Sequence, residues 1–186
     1  MEFATTQGDI AAQSADALVN AAGTSLRMGS GVAGALRRAA GDELNEAAMA
    51  KGPVDLGEVA VTDAFGLDAD YVIHAAAMPH YGVHETRSES REPTRTRGSG
   101  DDGKATEESI QSAVWNSLET ADELGCESLV IPVLGTGAAG FAFERAADLI
   151  CSEIADYKAE TLVDVAVIAY ADDQYELLRK VAERTG

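Results

Sequence analysis

The sequence is poor in cysteine and in aromatic residues, and it contains no long apolar run. Its 186 residues include two cysteines, Cys126 and Cys151, and 5% aromatic residues. One cysteine precedes an apolar run and the other lies in a helical pattern, which favours buried free thiols over a disulfide framework. No stretch of about 18 apolar residues could cross a membrane, and the N-terminus does not resemble a secretory signal. We therefore expect a cytoplasmic protein, with residues 1–186 forming one domain.

Basic residues are also scarce. The chain has 14 Lys and Arg against 32 Asp and Glu, which gives a formal charge of −18 at pH 7. A surface this acidic repels nucleic-acid phosphates and anionic lipids, so we expect no nucleic acid and no membrane among its partners. Concentrated salt would screen the self-repulsion, because the Debye length falls to about 3 Å at 1 M. The charge therefore predicts a halophilic source with an acidic proteome.

The order of the apolar segments predicts an α/β fold, because short apolar runs alternate with helical patterns. Asp9 is expected to cap a short helix. Residues 82–104 hold almost no large apolar side chain and are predicted to form a mobile surface insertion. Strands are expected at 2–7, 17–22, 59–62, 71–77, 128–134 and 162–170. Helices are expected at 31–51, 105–124, 143–157 and 172–184.

Two glycine-rich segments connect predicted strands to predicted helices. They are "GSGV" at 29–32 and "GTGAAGF" at 135–141. Backbone N–H groups in such loops and at helix N-termini bind anions without needing a basic side chain. Tight packing of small residues between helix and sheet is the alternative explanation for either loop.

Neither loop fits a known dinucleotide or nucleotide fingerprint well. The string "GSGVAG" matches G-x-G-x-x-G, yet it begins well after the predicted strand end at Ala22, and the nearest acidic residue at a strand end, Asp63, is too far away. No G-K-[ST] occurs, so a Walker A loop is excluded. We expect no cofactor, and a nicotinamide-dependent oxidoreductase is the weakest of the alternatives.

Five motifs follow one another in a familiar order. They are "GDI" at 8–10, "DALVNAA" at 16–22, "GSGVAGALRRAAG" at 29–41, "YVIHAAA" at 71–77 and "SLVIPVLGTGAAGF" at 128–141. In this order they resemble the macrodomain family, in particular its small stand-alone archaeal and bacterial members, and the resemblance covers nearly the whole chain. The resemblance implies a three-layer α/β/α fold with a central mixed sheet. It also implies a cleft at the strand ends that binds ADP-ribose or a related nucleotide.

The resemblance assigns binding roles along this cleft. Asp9 matches an aspartate that accepts a hydrogen bond from the adenine amino group, and the backbone of Ile10 also meets adenine; a plain helix cap is the alternative for Asp9. Tyr170 either lies beside adenine or packs at a strand end. The phosphate loops would comprise Gly29, Ser30, Gly31 and Val32, and then Gly135, Thr136, Gly137, Ala138, Ala139, Gly140 and Phe141.

Asn20 is the one candidate catalytic residue, because it matches an asparagine near the distal ribose; a structural amide is the alternative. Hydrolytic relatives often carry Asn, an acid, His and an aromatic residue where this chain has Gly23, Ala33, Arg37 and Ala139. A hydrolase would therefore need the substrate's own phosphate to activate water. We expect a module that binds free or protein-linked ADP-ribose, with ADP-ribosylated proteins as partners. Hydrolysis of ADP-ribosyl or O-acetyl-ADP-ribose esters is the alternative.

Several other residues invite a functional interpretation. His74, His80 and His84 lie close together in sequence, but their spacing fits no metal site, so we expect no metal and a structural role for His74. Arg37 and Arg38 follow the first glycine loop and either assist a phosphate or form surface ion pairs. Trp115 is expected to pack in the core.

Overall fold

The computed structural model describes residues 1–79, 104–137 and 139–185. The predicted insertion, apart from Lys104, lies outside these ranges, as do His80, His84 and Ala138. Within them the chain forms six strands, a short 3₁₀ turn and five α-helices. In order these are β1 (Glu2–Gln7), the 3₁₀ turn (Ile10–Ala12), β2 (Ala17–Gly23), α1 (Gly31–Ala40), α2 (Asp42–Lys51), β3 (Val59–Asp63), β4 (Tyr71–Met78), α3 (Glu107–Glu123), β5 (Ser128–Pro132), α4 (Phe143–Asp156), β6 (Asp164–Ala169) and α5 (Asp172–Thr185).

The strands form one mixed sheet in the order β1-β6-β5-β2-β4-β3. Every neighbouring pair is parallel except β3 and β4. Parallel strands are buried on both faces, which explains why β4 contains an unbroken run of buried residues from Val72 to Ala77. The carboxyl ends of β1, β6, β5, β2 and β4 therefore meet along one edge, where ligands bind in open α/β sheets.

Helices cover both faces of this sheet and complete the expected three-layer fold. On one face, Leu36 of α1 and Leu44 of α2 belong to the same buried cluster as Leu18 and Val72 of the sheet. On the other face, α3, α4 and α5 contribute to a larger cluster that contains Val19. The helical members of that cluster include Ile110, Ile150 and Leu178. Burial of apolar side chains on both faces holds the layers together, at about 1.5–3 kcal/mol for each large residue.

The helix predicted at 31–51 is in fact two helices. Gly41 separates α1 from α2 with a φ of 100°, a conformation that side chains rarely adopt. The second helix begins with Asp42 and Glu43 in its first turn. Acidic side chains there interact favourably with the positive end of the helix dipole.

Three smaller differences from the sequence-based prediction concern strand ends and one aromatic side chain. β5 ends at Pro132, two residues earlier than expected, so Val133 and Leu134 belong to the connection that leads into the second glycine loop. β6 ends at Ala169, which leaves Tyr170 beyond the strand. Trp115 is not a core residue: it is 40% exposed and lies edge-to-face against Tyr157, with ring centroids 5.2 Å apart.

Both cysteines are free and buried, as predicted. Burial raises the pKa of the Cys126 thiol, and it raises that of Cys151 to about 12. Neither thiol is therefore a ready nucleophile at neutral pH. None of the helices in the described ranges has the length and apolar character needed to cross a membrane.

Candidate functional site

A cleft of about 540 Å³ opens along the carboxyl edge of the sheet. Its floor is formed by residues at or just before the strand ends, Ala21 of β2, Met78 of β4, Pro132 of β5 and Ile168 of β6. Its volume lies within the range of about 300–1,000 Å³ that is usual for small-molecule sites.

One end of the cleft is built where β1 and β6 lie side by side. Asp9 lies there just after β1 and caps the 3₁₀ turn, because its Oδ1 accepts a hydrogen bond of 2.9 Å from the Ala11 amide. The predicted capping role is thus confirmed. The other carboxylate oxygen has no hydrogen-bond partner among the described residues, and the side chain is exposed. A cap and a ligand contact are therefore compatible in this one carboxylate.

Tyr170 lies at the same end of the cleft and is 77% exposed. This exposure contradicts the alternative in which its ring packs at the strand end. Ile10, by contrast, is buried and also lines the cleft. Gln174 of α5 completes this end and carries no signal in the sequence that would have identified it.

The first glycine loop brings the N-terminus of α1 to the cleft wall. Ser30, Gly31 and Val32 all line the cleft. Ser30 is the N-cap residue but makes no capping hydrogen bond with its side chain. The first N–H groups of a helix have no partner within it, so these amides are available to an anionic ligand. Gly29 does not line the cleft.

The second glycine loop forms the facing wall and is closed by its own hydrogen bonds. The Phe141 amide donates to the Gly135 carbonyl at 3.1 Å, and the Gly140 amide donates to the Gly137 carbonyl at the same distance. Gly135, Thr136, Gly137 and Ala139 line the cleft, whereas Gly140 and Phe141 do not. Phe141 packs against the larger core cluster instead.

Asn20 does not lie in the cleft. Neighbouring residues of a strand point to opposite faces, and it is Ala21 that lines the cleft. Asn20 is fully buried, and its Nδ2 lies 3.0 Å from His74 Nδ1. Its Oδ1 has no partner among the described residues. The structure therefore does not bring Asn20 together with the other candidate residues, and its catalytic role stays a prediction.

His74 links Asn20 to Thr62 in a buried polar row across three strands. Its Nε2 lies 2.9 Å from Thr62 Oγ1. Burial, followed by the charge of Lys51, lowers the pKa of His74 to about 4. The imidazole is therefore neutral at pH 7. Both of its ring nitrogens take part in the hydrogen bonds of this row, which agrees with the expected structural role.

The two arginines of α1 have different surroundings. Arg37 forms an ion pair of 2.8 Å with Asp42 and donates to the Met28 carbonyl at 3.0 Å. Arg38 lines the cleft, as does Ala35 one turn earlier. The sequence did indicate that Arg38 could lie on the cleft wall, because residues 31, 35 and 38 lie on one face of a helix.

Sequence reasoning missed a further group of cleft residues, most of them small or apolar and lying at strand ends. They are Gly8, Ala21, Ala35, Met78, Pro132, Val133, Ile168 and Gln174. Within the ranges that the structure describes, no three His, Cys, Asp or Glu side chains are grouped so that they could hold a metal ion.

The sequence matches the family model described as Macro domain over residues 19–150. Most of the chain is covered, and the mixed sheet with helices on both faces has the architecture that the resemblance implied. The chain belongs to the macro domain family.

Relatives of similar length support this assignment. A protein of Sulfolobus acidocaldarius is 36% identical over 189 residues, which cover 100% of this chain and 92% of the relative. A macro domain-containing protein of Caldanaerobacter subterraneus subsp. tengcongensis is 32% identical over 183 residues, covering 95% of this chain and 93% of the relative.

Solved structures share the fold at lower identity. An Oceanobacillus iheyensis macrodomain variant with ADPR has a TM-score of 0.78 at 24% identity and covers 98% of this chain and 91% of its own. A Trypanosoma brucei macrodomain in complex with ADP-ribose has a TM-score of 0.76 at 22% identity, covering 96% of this chain and 68% of its own.

Proposed function

We propose that the cleft binds ADP-ribose, either free or attached to a protein. The observation that carries this proposal is that Asp9, the N-terminus of α1 and the second glycine loop all line one cleft. The family membership and the macrodomains crystallised with ADPR or ADP-ribose support the same ligand class. We also propose that residues 1–186 form one domain.

Each part of the ligand has a chemical counterpart in the cleft. The unpartnered carboxylate oxygen of Asp9 suits the amino group of adenine, whereas guanine presents a carbonyl oxygen at the corresponding position. The diphosphate would lie between the uncapped α1 N-terminus and the second glycine loop, where backbone N–H groups supply positive partial charge. Backbone donors explain how a chain with a charge of −18 can hold an anion.

Titration calorimetry with ADP-ribose in concentrated KCl tests the proposal. We expect Asp9→Ala to weaken binding at least about tenfold, because a hydrogen bond to a charged group contributes roughly 1.5–3 kcal/mol. Since alanine also removes the helix cap, Asp9→Ser provides a second variant that can still cap the turn. Glu46→Ala, an exposed position on α2 outside the cleft, is the matched control. A folded wild-type protein that does not bind ADP-ribose would refute the proposal.

Binding is favoured over hydrolysis by the residues of the cleft. Among the described lining residues, Asp9 is the one carboxylate, and there is no histidine or cysteine. Asp9 lies at the end assigned to adenine, away from the ribose ester that a hydrolase would cleave. Ester hydrolysis assisted by the substrate's phosphate stays the alternative, and release of ADP-ribose from an O-acetyl ester would reveal it.

We also propose that the protein works in a salt-rich cytoplasm, on the basis of its net charge of −18. Self-repulsion of this size destabilises the compact state, and salt screens it. We expect the midpoint of thermal unfolding to rise when KCl is increased from about 0.1 M to about 1 M. A midpoint that stays constant or falls over this range would contradict the proposal.

A further inference from the structure

We infer that Arg38 is a specificity-determining residue that contacts the ligand's phosphates and thereby favours phosphorylated ligands over the uncharged nucleoside. This inference rests on the proposed function, since it concerns how the same cleft recognises its ligand.

Arg37 and Arg38 have the same side chain but different partners. Arg37 is committed to the protein through its ion pair with Asp42 and its hydrogen bond to the Met28 carbonyl. Arg38 has neither an ion pair nor a hydrogen bond with any residue that the structure describes, although the chain is rich in carboxylates. A guanidinium left unpaired on the wall of a cleft is available to an anionic ligand.

The guanidinium of Arg38 lies near the first glycine loop. Side chains on a helix tilt toward its N-terminus, so a residue late in α1 can reach back along the helix. A Cβ atom at position 34 would lie 3.2 Å from Arg38 Nη1 and 3.0 Å from the Gly29 carbonyl oxygen. Gly34 therefore leaves open the space in which the guanidinium folds back, one turn from the α1 N-terminus.

Arg38 is also the one positive side chain among the described residues that line the cleft, and Asp9 is the one negative side chain. A diphosphate is anionic at neutral pH, and the charge of −18 on the protein opposes its entry. Backbone N–H groups carry only partial charges. Arginine carries a full charge on a planar guanidinium group, whose paired N–H donors match the spacing of phosphate oxygens. Arg38 should therefore act on charged ligands and not on an uncharged nucleoside.

NMR titration of Arg38→Gln with ADP-ribose and with adenosine tests this inference, since the method reaches millimolar affinities. We expect the Kd for ADP-ribose to rise about tenfold, the lower end for losing a charged hydrogen bond. The Kd for adenosine should stay within about twofold, because adenosine carries no phosphate. Arg38→Lys should recover part of the loss, since lysine keeps the positive charge but lacks the paired N–H donors of the guanidinium group.

Arg37→Gln is the matched control, because it removes the same charge from the neighbouring position outside the cleft. We expect this variant to bind ADP-ribose within about twofold of the wild type. Unchanged ADP-ribose binding by Arg38→Gln would overturn the inference, and so would an equal loss for ADP-ribose and adenosine, which indicates a structural role. If the wild type binds no ADP-ribose, the proposed function itself is refuted. If the wild type binds ADP-ribose and Arg38→Gln binds it equally well, only the role of Arg38 is refuted.

Discussion

The two glycine loops reach the same cleft, but the protein constrains them differently. At Gly29 and Gly31 of the first loop, an added Cβ atom would meet nothing within 4 Å. At Gly135 of the second loop, it would lie 2.9 Å from both Ala105 Cβ and Ile110 Cδ1. The second loop therefore contacts the core at Gly135, whereas neither Gly29 nor Gly31 in the first loop would bring a Cβ atom against a neighbour. Packing thus requires glycine at position 135 but not at positions 29 and 31.

This difference follows from what each loop connects. The second loop leads from β5 to α4 and passes over the first turn of α3, where Ile110 belongs to the core. The first loop lies at the N-terminus of α1, whose early residues Ser30 and Gly31 are exposed on the cleft wall. We infer that the second loop is anchored to α3 at Gly135, whereas no comparable contact holds Gly29 or Gly31.

The largest effect expected from this comparison is that of Gly135→Ala. Gly135 has a φ of 79°, so alanine there would be strained, and its Cβ atom would also clash with the core. The two penalties together should lower the free energy of unfolding by about 3 kcal/mol. Urea denaturation followed by circular dichroism measures the change.

Gly137→Ala is the control for this prediction, because an added Cβ atom there meets nothing within 4 Å and φ lies outside the range that favours glycine. We expect its free energy of unfolding to stay within about 0.5 kcal/mol of the wild type. Equal stability of the Gly135 and Gly137 variants would show that the loop is not held by its contact with α3.

The sequence predicted the order of the elements, the sheet and the two loops, because short apolar runs and glycine-rich turns carry strong local signals. It could not decide which face of β2 each side chain takes. The segment "ALVNAAG" is apolar on both faces, as expected for a central parallel strand, so no alternation distinguished Asn20 from Ala21. The family resemblance then directed attention to Asn20, which the structure places in a buried polar row.

Other differences trace to signals that were present but weak. Gly41 stood between Ala40 and two acidic residues, which is a helix stop followed by a helix start, yet the alanine-rich pattern continued through it. Arg37 and Arg38 could not be separated by composition, because their difference depends on the rotation of α1 about its axis. That rotation is set by the packing of Leu36 into the core.

A smaller effect is expected at Gly31, where only the backbone conformation demands glycine. Its φ of 60° is unfavourable for alanine, but an added Cβ atom would meet no neighbour. Gly31→Ala should therefore lower the free energy of unfolding by about 1 kcal/mol, roughly a third of the loss at Gly135. Gly29→Ala, in the same loop, should change it by less than about 0.5 kcal/mol, since neither strain nor contact applies there. Urea denaturation of the pair separates the two cases: a large loss at Gly29 would mean that the first loop is held as tightly as the second, and the contrast between the loops would not survive.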